Sequence, residues 1–510
     1  MTVFAHRPDR RRLLLAGAAA ALVHGLPGCG SAPSPRPMAF GEGHTPARLG
    51  DAALLDDIEA RTFRFFWDTA HPVTGLVPDR WPAAPTMASV AAVGFGLTAY
   101  LVGAERGLVT RAEAAERVHR TLAFLAHAPQ GEAPRGMSGH RGFFYHFLDM
   151  ASGARFNEHV ELSTIDTALL MAGVLATQSY FNGNDPTESR IRSLAEALYT
   201  RVEWRWAQVR GGHLVMGWVP GAGFAPFVDY HGYDEAMLLY LLALGSPTHP
   251  ARDDSWAAFC STYPRTWGSF MGQLHLGGAP LFWHQYSHVW VDFRGIQDTY
   301  MRERGLDYFE NSRRAALAQR AYAISNPGGW KDYGENVWGL TACDGPGSVR
   351  TADHTGRLRE FHDYRARGAG MVDLLDDGTL APTAAAASLP FAPAEVTAAL
   401  QAMHQRFGAH VYGRYGFLDA FNTSFVDASA TLSNGRVAPG FGWVDTDYLG
   451  IDQGPIVAMI ANHRHDLIWR TMRGNAHLRR GLARAGFSGG WLNASARSVS
   501  PHDRPIAQPA

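Results

Sequence analysis

Apolar residues recur with the spacing of an α-helix along most of this 510-residue chain, and this pattern limits the possible folds more than any other feature. The periodic segments cover residues 54–68, 88–105, 111–128, 163–180, 188–208, 233–244, 286–302, 308–324, 394–407, 455–462 and 465–485. Turn-forming residues separate them, as in the stretch from Phe181 to Pro186. Nearly a dozen helices are therefore predicted.

Strand signals are few by comparison, at 139–147 and 212–218, where turn residues flank aromatic ones. A ring of helices needs no sheet, because each helix can bury its apolar face against its neighbours. The connecting loops are uneven in length, and long aromatic loops at one rim can build a pocket. No repeat of constant period is present, which argues against a solenoid. We predict an all-α fold, an α/α barrel formed by a toroid of helical hairpins, with a cleft built by long loops.

The N-terminus has the pattern of a bacterial export signal. Arg10–Arg12 precede an apolar run from Leu13 to Val23, which is too short to remain in a membrane as a helix, and a Leu-Pro-Gly-Cys sequence ends at Cys29. The arginines suggest twin-arginine export, and Cys29 stands where a bacterial lipoprotein carries its lipid. We predict a lipidated Cys29; cleavage near Gly30 without a lipid is the alternative.

The predicted organisation follows from this pattern. Residues 1–30 form the export signal, 31–50 a flexible tether, 51–490 one catalytic domain and 491–510 a disordered tail. The protein is expected in the periplasm, either free or anchored to a membrane only through Cys29. We expect it to be a monomer.

The amino-acid composition limits the kinds of molecule that the protein is expected to bind. The net charge is -1, from 46 basic and 47 acidic residues, so nothing favours nucleic acid or anionic lipid, and a neutral partner is expected. Beyond Cys29 only Cys260 and Cys343 remain, which is no disulfide framework. His284 and His288 are spaced by four but lack the glutamate of a metalloprotease motif. We predict neither a metal nor another cofactor.

Acids, histidines and aromatics are most concentrated between Gly232 and Ser348. Asp234 and Glu235 stand at the first turn of an apolar helix predicted to end at Gly245. They could simply complement the helix dipole. A carboxyl group among apolar and aromatic neighbours can also stay protonated, and Glu235 is therefore a candidate general acid.

A second acidic pair precedes another helix. Ser163 or Thr164 is a plausible N-cap, and capping alone could explain Asp166. Glu161 lies before the cap, where it could hold a ligand hydroxyl. Both carboxylates are candidate sugar-binding residues.

A third group would form a polar stripe if its segment were helical. His284, His288 and Asp292 are spaced by four, with Tyr286 and Trp290 beside them. Such groups are costly to bury without partners, and sugar hydroxyls supply donors and acceptors. A satisfied buried network is the alternative.

Two later carboxylates lie in turn-like settings. Asp419 stands among aromatic residues with no obvious helix to cap, whereas Asp452 precedes an apolar helix and could be its cap. Asp419 is the stronger catalytic candidate, and Asp452 competes with it.

Several long blocks occur together in one order. They begin at Tyr233, His284, Asp307, Tyr333, Asp377 and Gly450, and include Tyr-Gly-Glu-Asn-Val-Trp-Gly-Leu and Gly-Ile-Asp-Gln-Gly-Pro. From about Leu54 to Phe487 the chain resembles the bacterial glycoamylase-like family, which includes endo-β-1,2-glucanases and a domain of cyclic β-1,2-glucan synthases. The resemblance implies an (α/α)6 barrel and metal-free acid/base hydrolysis of a glucan. It also implies that Glu235 is the general acid and that Asp419 is the best match for the base.

The chain departs from the family pattern after Asp344-Gly-Pro-Gly, where Ser348 and Val349 replace a common Gly-Tyr. This change removes an aromatic residue expected to face a sugar, so the preferred chain length of the substrate is open.

We therefore predict an exported glycoside hydrolase that cleaves a β-glucan, in particular β-1,2-glucan, with inversion at the anomeric carbon. The residues predicted to bind sugar are Glu161, Asp166, His284, His288, Trp290, Asp292, Arg294, Glu335 and Trp338. Trp290 and Trp338 could stack on a sugar or simply pack in the core. The alternatives are a transglycosylase on the same scaffold, an α-glucan hydrolase, a polysaccharide lyase and a non-catalytic glycan-binding lipoprotein.

Overall fold

The computed structural model of the protein describes residues 47–493. The α-helices are α1 Asp51–Thr69, α2 Val90–Glu105, α3 Arg111–His127, α4 Thr164–Tyr180, α5 Pro186–Thr200, α6 Met237–Gly245, α7 Ser255–Cys260, α8 Tyr263–Thr266, α9 Tyr286–Trp290, α10 Thr299–Arg302, α11 Tyr308–Ser325, α12 Pro382–Ala386, α13 Pro393–Val411, α14 Gly450–His465, α15 Leu467–Met472, α16 Ala476–Arg484 and α17 Gly490–Asn493. Two 3-10 helices cover Trp204–Ala207 and Leu281–His284. The predicted export signal, Cys29, most of the tether and most of the tail lie outside the described residues.

Short strands lie in the loops between the helices. They are β1 Arg80–Trp81, β2 Met87–Ser89, β3 Gly139–His140, β4 Phe143–Phe144, β5 Phe147–Asp149, β6 Leu162–Ser163, β7 Leu214–Val215, β8 Gly217–Trp218, β9 Asp229–Tyr230, β10 Trp267–Phe270, β11 Gln273–Leu276, β12 Ile296–Gln297, β13 Ala342–Cys343, β14 Val349–Ala352, β15 Leu358–Phe361, β16 Arg365–Ala366, β17 Gly368–Ala369, β18 Leu374–Leu375, β19 Tyr412–Gly413, β20 Gly416–Phe417, β21 Phe421–Asn422, β22 Arg436–Ala438, β23 Gly442–Val444, β24 Tyr448–Leu449 and β25 Ser488–Gly489. They pair antiparallel, and the largest sheet in the described part of the chain has three strands in the order β21-β23-β22.

The fold is rich in helix, as predicted, and the most apolar helices form its core. Helices α2, α4, α6 and α14 are buried over most of their length. Helices α1, α3 and α5 bury one face only, which fits their amphipathic sequences. Helix α2 packs between α4 and α14. No helix among the described residues is both long and apolar enough to cross a membrane.

Hydrogen bonds join the first turns of the buried helices. The Leu238 N–H at the start of α6 donates to Ser287 Oγ in α9 at 3.1 Å. Tyr286 Oη in α9 donates to the carbonyl oxygen of Ile451 in α14 at 3.4 Å. The starts of these three helices therefore lie at one end of the core.

The starts of α12 and α2 lie at the same end. Thr383 Oγ1 in α12 donates to the carbonyl oxygen of Asp452 at 2.9 Å. The N–H of Gly450 donates to the carbonyl oxygen of Asp79 at 2.8 Å, beside the pairing of β1 with β24. The loops before these helices consequently converge.

Several predicted helices are shorter than the periodicity suggested. The segment predicted over 286–302 contains α9, an extended stretch, β12 and α10. The segment over 188–208 contains α5 from its third residue onward and a 3-10 helix, and the one over 465–485 contains α15 and α16. Tertiary packing can interrupt a helix that local periodicity favours, so element boundaries are the least predictable feature.

Candidate active site

The carboxylates predicted for catalysis lie in the converging loops and first helical turns. Glu235 precedes α6, Asp452 lies in the first turn of α14 and Asp419 follows β20. The Glu235 carbonyl oxygen accepts a hydrogen bond from Ser287 Oγ at 3.4 Å. Since the neighbouring Tyr286 contacts Ile451, one short path through α9 connects the Glu235 and Asp452 sides of the site.

Asp419 lies at the bottom of this region with 2% of its surface exposed. Its N–H donates to the carbonyl oxygen of Asp447 at 3.0 Å, and its Oδ2 accepts the N–H of Asp344 at 2.8 Å. Burial and the nearby Asp344 carboxylate raise the pKa of Asp419 to about 6, although the Asp452 side chain, the Asp344 N–H and Arg80 favour its ionised form. Asp419 can therefore accept a proton near neutral pH.

The Asp452 side chain lies beside Asp419 and lowers the pKa of Asp419. The two competing base candidates are thus direct neighbours.

Further acids surround this pair, and sequence reasoning missed them. Asp344 is fully buried, and Arg80 Nη1 donates to its Oδ2 at 2.6 Å. Arg80 also lies 3.5 Å from Asp79 and 3.6 Å from Asp447. Asp344 follows β13 and Arg80 begins β1, 264 residues apart, so no local pattern could have paired them.

Asp445 completes the buried acidic cluster. Its Oδ1 accepts the N–H groups of Thr446 and Asp447 at 2.6 and 3.2 Å, while its Oδ2 has no hydrogen-bond partner among the described residues. Burial, with Asp344, Asp419 and Asp447 nearby, raises the pKa of Asp445 well above its ordinary value. Asp445 is therefore harder to ionise than an ordinary aspartate.

One oxygen each from Asp344, Asp419 and Asp445 lies within 4.8 Å of the others. That spacing is compatible with a cation, but Arg80 already pairs with Asp344 at 2.6 Å. Spacing alone establishes no metal site, and we assign these residues no metal role.

The predicted sugar-binding acids Glu161 and Asp166 lie on either side of a histidine. His146 Nδ1 is 2.9 Å from Glu161 Oε1, and His146 Nε2 is 3.5 Å from Asp166 Oδ1. Ser163 is the N-cap of α4 and its hydroxyl donates to Asp166. The N–H of Val90 at the start of α2 donates to the His146 carbonyl oxygen at 3.1 Å, which places this group at the same end of the core.

The expected polar stripe of His284, His288 and Asp292 does not form, because Gln285 separates the 3-10 helix from α9. His284 Nε2 lies 3.1 Å from the Gly278 carbonyl oxygen, and His288 Nε2 lies 3.0 Å from Ser312 Oγ. Burial lowers the pKa of His288 to about 3 and that of His284 well below its ordinary value. Both are neutral core residues, and the Nδ1 atom of each has no hydrogen-bond partner among the described residues.

Asp292 and Arg294 lie at the other end of the core. Asp292 pairs with Arg294 and Arg473, and both arginines also contact Asp466, the residue that ends α14. The Asn462 amide near the end of α14 donates to the Val289 carbonyl oxygen at 3.0 Å. A helix separates this charged network from Asp452, so it is remote from the candidate catalytic residues.

The other residues predicted to bind sugar do not offer an exposed aromatic face to a ligand. Trp290 is fully buried, stacks on Phe95 and donates to Thr98 Oγ1 at 2.9 Å. Trp338 is 1% exposed. Glu335 is exposed and pairs with Arg320 on α11 at 2.8 Å. Trp290 and Trp338 therefore pack in the core, the alternative left open by the sequence.

Comparison with known proteins identifies the family. The Glycoamylase family, described as "Putative glucoamylase", matches residues 228–476. A crystal structure of a "putative glucoamylase" from Bacteroides uniformis is 32% identical, covers 88% of this chain and is itself covered completely, with a TM-score of 0.75. The chain belongs to the glycoamylase family.

Two named relatives of this family member act on β-1,2-glucans. It is 29% identical over 463 residues to the exo-β-1,2-glucooligosaccharide sophorohydrolase (non-reducing end) of Parabacteroides distasonis. That match covers 85% of this chain, but the chain spans only 58% of the relative's length. The endo-β-1,2-glucanase of Chitinophaga pinensis, solved with sophorotriose and glucose, is 27% identical, with 87% of this chain and all of that chain covered and a TM-score of 0.73.

Within this glycoamylase family member, aromatic residues accompany the acids. Trp81 follows Arg80 in β1 and packs edge-on against Tyr415 with ring centroids 5.3 Å apart. Trp218 pairs with Leu162, the residue after Glu161, and stacks on His140. Aromatic faces beside buried carboxylates are suited to sugar rings. Chemically, the region can supply a half-buried acid, Glu235, and a proton acceptor, Asp419.

Proposed function

We propose that this chain is a glycoside hydrolase that cleaves β-1,2-glucan. The named activities of the Parabacteroides and Chitinophaga relatives support the substrate, and their identity extends over most of this chain. The observation that supports the reaction type is a path of contacts at one end of the helical core: Ser287 bonds to the main chain of Glu235, Tyr286 bonds to Ile451, and the adjacent Asp452 lies beside Asp419.

The proposed scaffold is an (α/α)6 barrel. Six helices, α2, α4, α6, α9, α12 and α14, would form the inner ring, and α1, α3, α5, α7, α11 and α13 alternate with them in sequence as the outer ring. The hydrogen bonds between the first turns of α6, α9, α12 and α14 support a common direction for the inner helices. The site then lies where these helices begin.

In the proposed reaction Glu235 protonates the glycosidic oxygen while Asp419 removes a proton from the attacking water. The leaving sugar departs with its bonding electron pair and the Glu235 proton, and the water oxygen bonds to the anomeric carbon from the opposite face. An inverting site of this kind needs about 6.5–9.5 Å between the two carboxyl groups to admit the water. The Asp452 side chain beside Asp419 favours the ionised form of Asp419.

Glu161, Asp166 and their histidine partner are proposed to hold sugar hydroxyl groups. Carboxylate oxygens accept hydrogen bonds from hydroxyls, and His146 fixes both acids in place. His284, His288, Trp290, Asp292, Arg294, Glu335 and Trp338 are left out because of their positions in the fold. We also propose export and, through Cys29, a membrane anchor, both supported by the residues before position 30.

The test is incubation of the purified protein with linear β-1,2-glucan and a panel of other β- and α-glucans. Proton NMR should detect the α-anomer first on β-1,2-glucan, because inversion of a β-linkage yields it. Release of the β-anomer would instead indicate retention, and lengthened or cyclised products would indicate a transglycosylase. Absence of cleavage of every β-glucan overturns the proposal.

Variants test the residue roles. Glu235→Gln and Asp419→Asn should each reduce kcat by roughly 10²–10⁴-fold, because each removes one proton-transfer group. Glu303→Gln is the matched control, since Glu303 is 67% exposed and pairs only with Arg304 among the described contacts. An active Glu235→Gln variant would contradict its role, and an active Asp419→Asn beside an inactive Asp452→Asn would move the base to Asp452.

A further inference from the structure

The buried acidic cluster holds more carboxyl groups than acid/base hydrolysis requires. Asp344 contacts Asp419 through its backbone N–H, and one of its carboxylate oxygens lies within 4.8 Å of an Asp419 oxygen. Neither its sequence context nor the comparisons assign it a role. Its neighbours indicate what it does.

We propose that Asp344 is a positioning residue for Asp419. The backbone N–H of Asp344 holds the Asp419 carboxylate, and the Asp344 carboxylate, which Arg80 binds, lies close to it. This inference rests on the proposed role of Asp419 as the base. The N–H fixes Asp419 Oδ2 at 2.8 Å, so the orientation of Asp419 depends on the main chain at Asp344.

A buried ion pair holds that main chain. Arg367 Nη1 donates to the carbonyl oxygens of Cys343 and Asp344 at 2.8 and 3.3 Å, and Arg367 Nε donates to Asp377 at 2.7 Å. Both members of the pair are nearly inaccessible to water. The Asp344 N–H is consequently presented to Asp419 from a rigid support.

The Asp344 side chain adds negative charge at short range. Arg80 binds it at 2.6 Å, yet Arg80 is a single cation that also neighbours Asp79 and Asp447. In a water-poor site a like charge at this distance strongly disfavours a second anion. Asp344 therefore makes Asp419 a stronger proton acceptor than an isolated aspartate, and Arg80 limits this effect.

The other charged or titratable groups facing Asp419 come from every element packed around it. They are Cys343 in β13, Asp344 after it, Asp445 and Asp447 before β24, Asp452 in α14 and Arg80 in β1. Burial and its acidic neighbours raise the pKa of Asp445 well above its ordinary value, which disfavours its anion. Among these groups, the Asp344 carboxylate raises the pKa of Asp419 and Arg80 lowers it.

The experiment is the pH dependence of kcat/KM on β-1,2-glucan for two opposed variants. Asp344→Asn keeps the backbone N–H and removes the charge, so the acidic limb should move down by about one pH unit. Arg80→Gln removes the counter-charge, so the limb should move up by a similar amount. Asp373→Asn is the control with an equal change in net charge and no expected shift, because Asp373 is exposed and its carbonyl oxygen accepts the Gly370 N–H.

A merely structural role would lower kcat at all pH values without moving the limb, and that result overturns the proposal. Shifts of both variants in the same direction also overturn it. A second readout is independent of activity: the carboxyl carbon signal of Asp419 in protein labelled with ¹³C-aspartate, identified by its loss in Asp419→Asn, should titrate at lower pH in Asp344→Asn. If the wild type cleaves no β-1,2-glucan, the proposed function fails, while this signal still decides the role of Asp344.

Discussion

Asp419 shows how a single residue can be placed for reactivity at the expense of stability. Its carboxyl is buried beside Asp344 and Asp452, with few groups to stabilise the anion, and its pKa is raised to about 6. The sequence suggested Asp419 because it lies among aromatic residues with no helix to cap. The neighbours that determine its proton affinity come from four separate segments and were not predicted.

The stability cost of Asp419 should depend on pH. A raised folded-state pKa means that its stabilising contribution is complete below about pH 4 and is lost as pH rises through about 6. Asp419→Asn, which does not titrate, should therefore be more stable than the wild type above pH 6, by on the order of 2–3 kcal/mol, with the gain vanishing near pH 4. Urea unfolding at pH 4, 6 and 8 measures this, and a gain independent of pH would contradict it.

At the scale of elements, close approach between α2 and α4 determines how the core packs. A Cβ added at Gly94 would lie 2.4 Å from the Leu169 carbonyl oxygen, and one added at Gly173 would lie 2.1 Å from the Gly94 carbonyl oxygen. The two helices touch through backbone atoms, which only glycine permits. This contact supports the start of α4, and hence Glu161 and Asp166.

Gly173→Ala should therefore destabilise the protein. Overpacking costs typically 1–3 kcal/mol, and the upper part of that range is expected because the clashing atom belongs to the backbone. Gly474→Ala is the control, since the nearest atom is 3.9 Å from the added Cβ, and its effect should stay within about 0.5 kcal/mol. Urea unfolding compares the two, and equal stabilities would show that the helices can separate without cost.

At the scale of the molecule, helices from the first and last parts of the described chain pack against each other and complete the core. Helix α14 packs against α1 and α2, and α16 packs against α6. The main cluster of buried apolar side chains includes residues from Leu54 to Phe487. The segment that matches the family, residues 228–476, therefore lacks helices against which its own buried faces pack.

A fragment of residues 228–476 should fail to fold by itself. It lacks α1, α2 and α4, so the apolar faces of α6 and α14 would be exposed to water. Near-ultraviolet circular dichroism and thermal melting should show no fixed tertiary structure, whereas residues 47–493 should melt cooperatively. A sharp melting transition of the fragment would contradict this expectation.

The sequence by itself determined the helical class, the family and most helix positions, because apolar periodicity and long motif blocks are local signals. It also selected Glu235, Asp419 and Asp452, whose roles remain predictions. Only the tertiary structure decided that His288 and Trp290 are core residues, that Asp292 and Arg294 lie at the far end of α14, and that Arg80 and Asp344 adjoin Asp419. Those facts depend on contacts between distant segments, and spacing along one segment does not specify which end of the core its side chains reach.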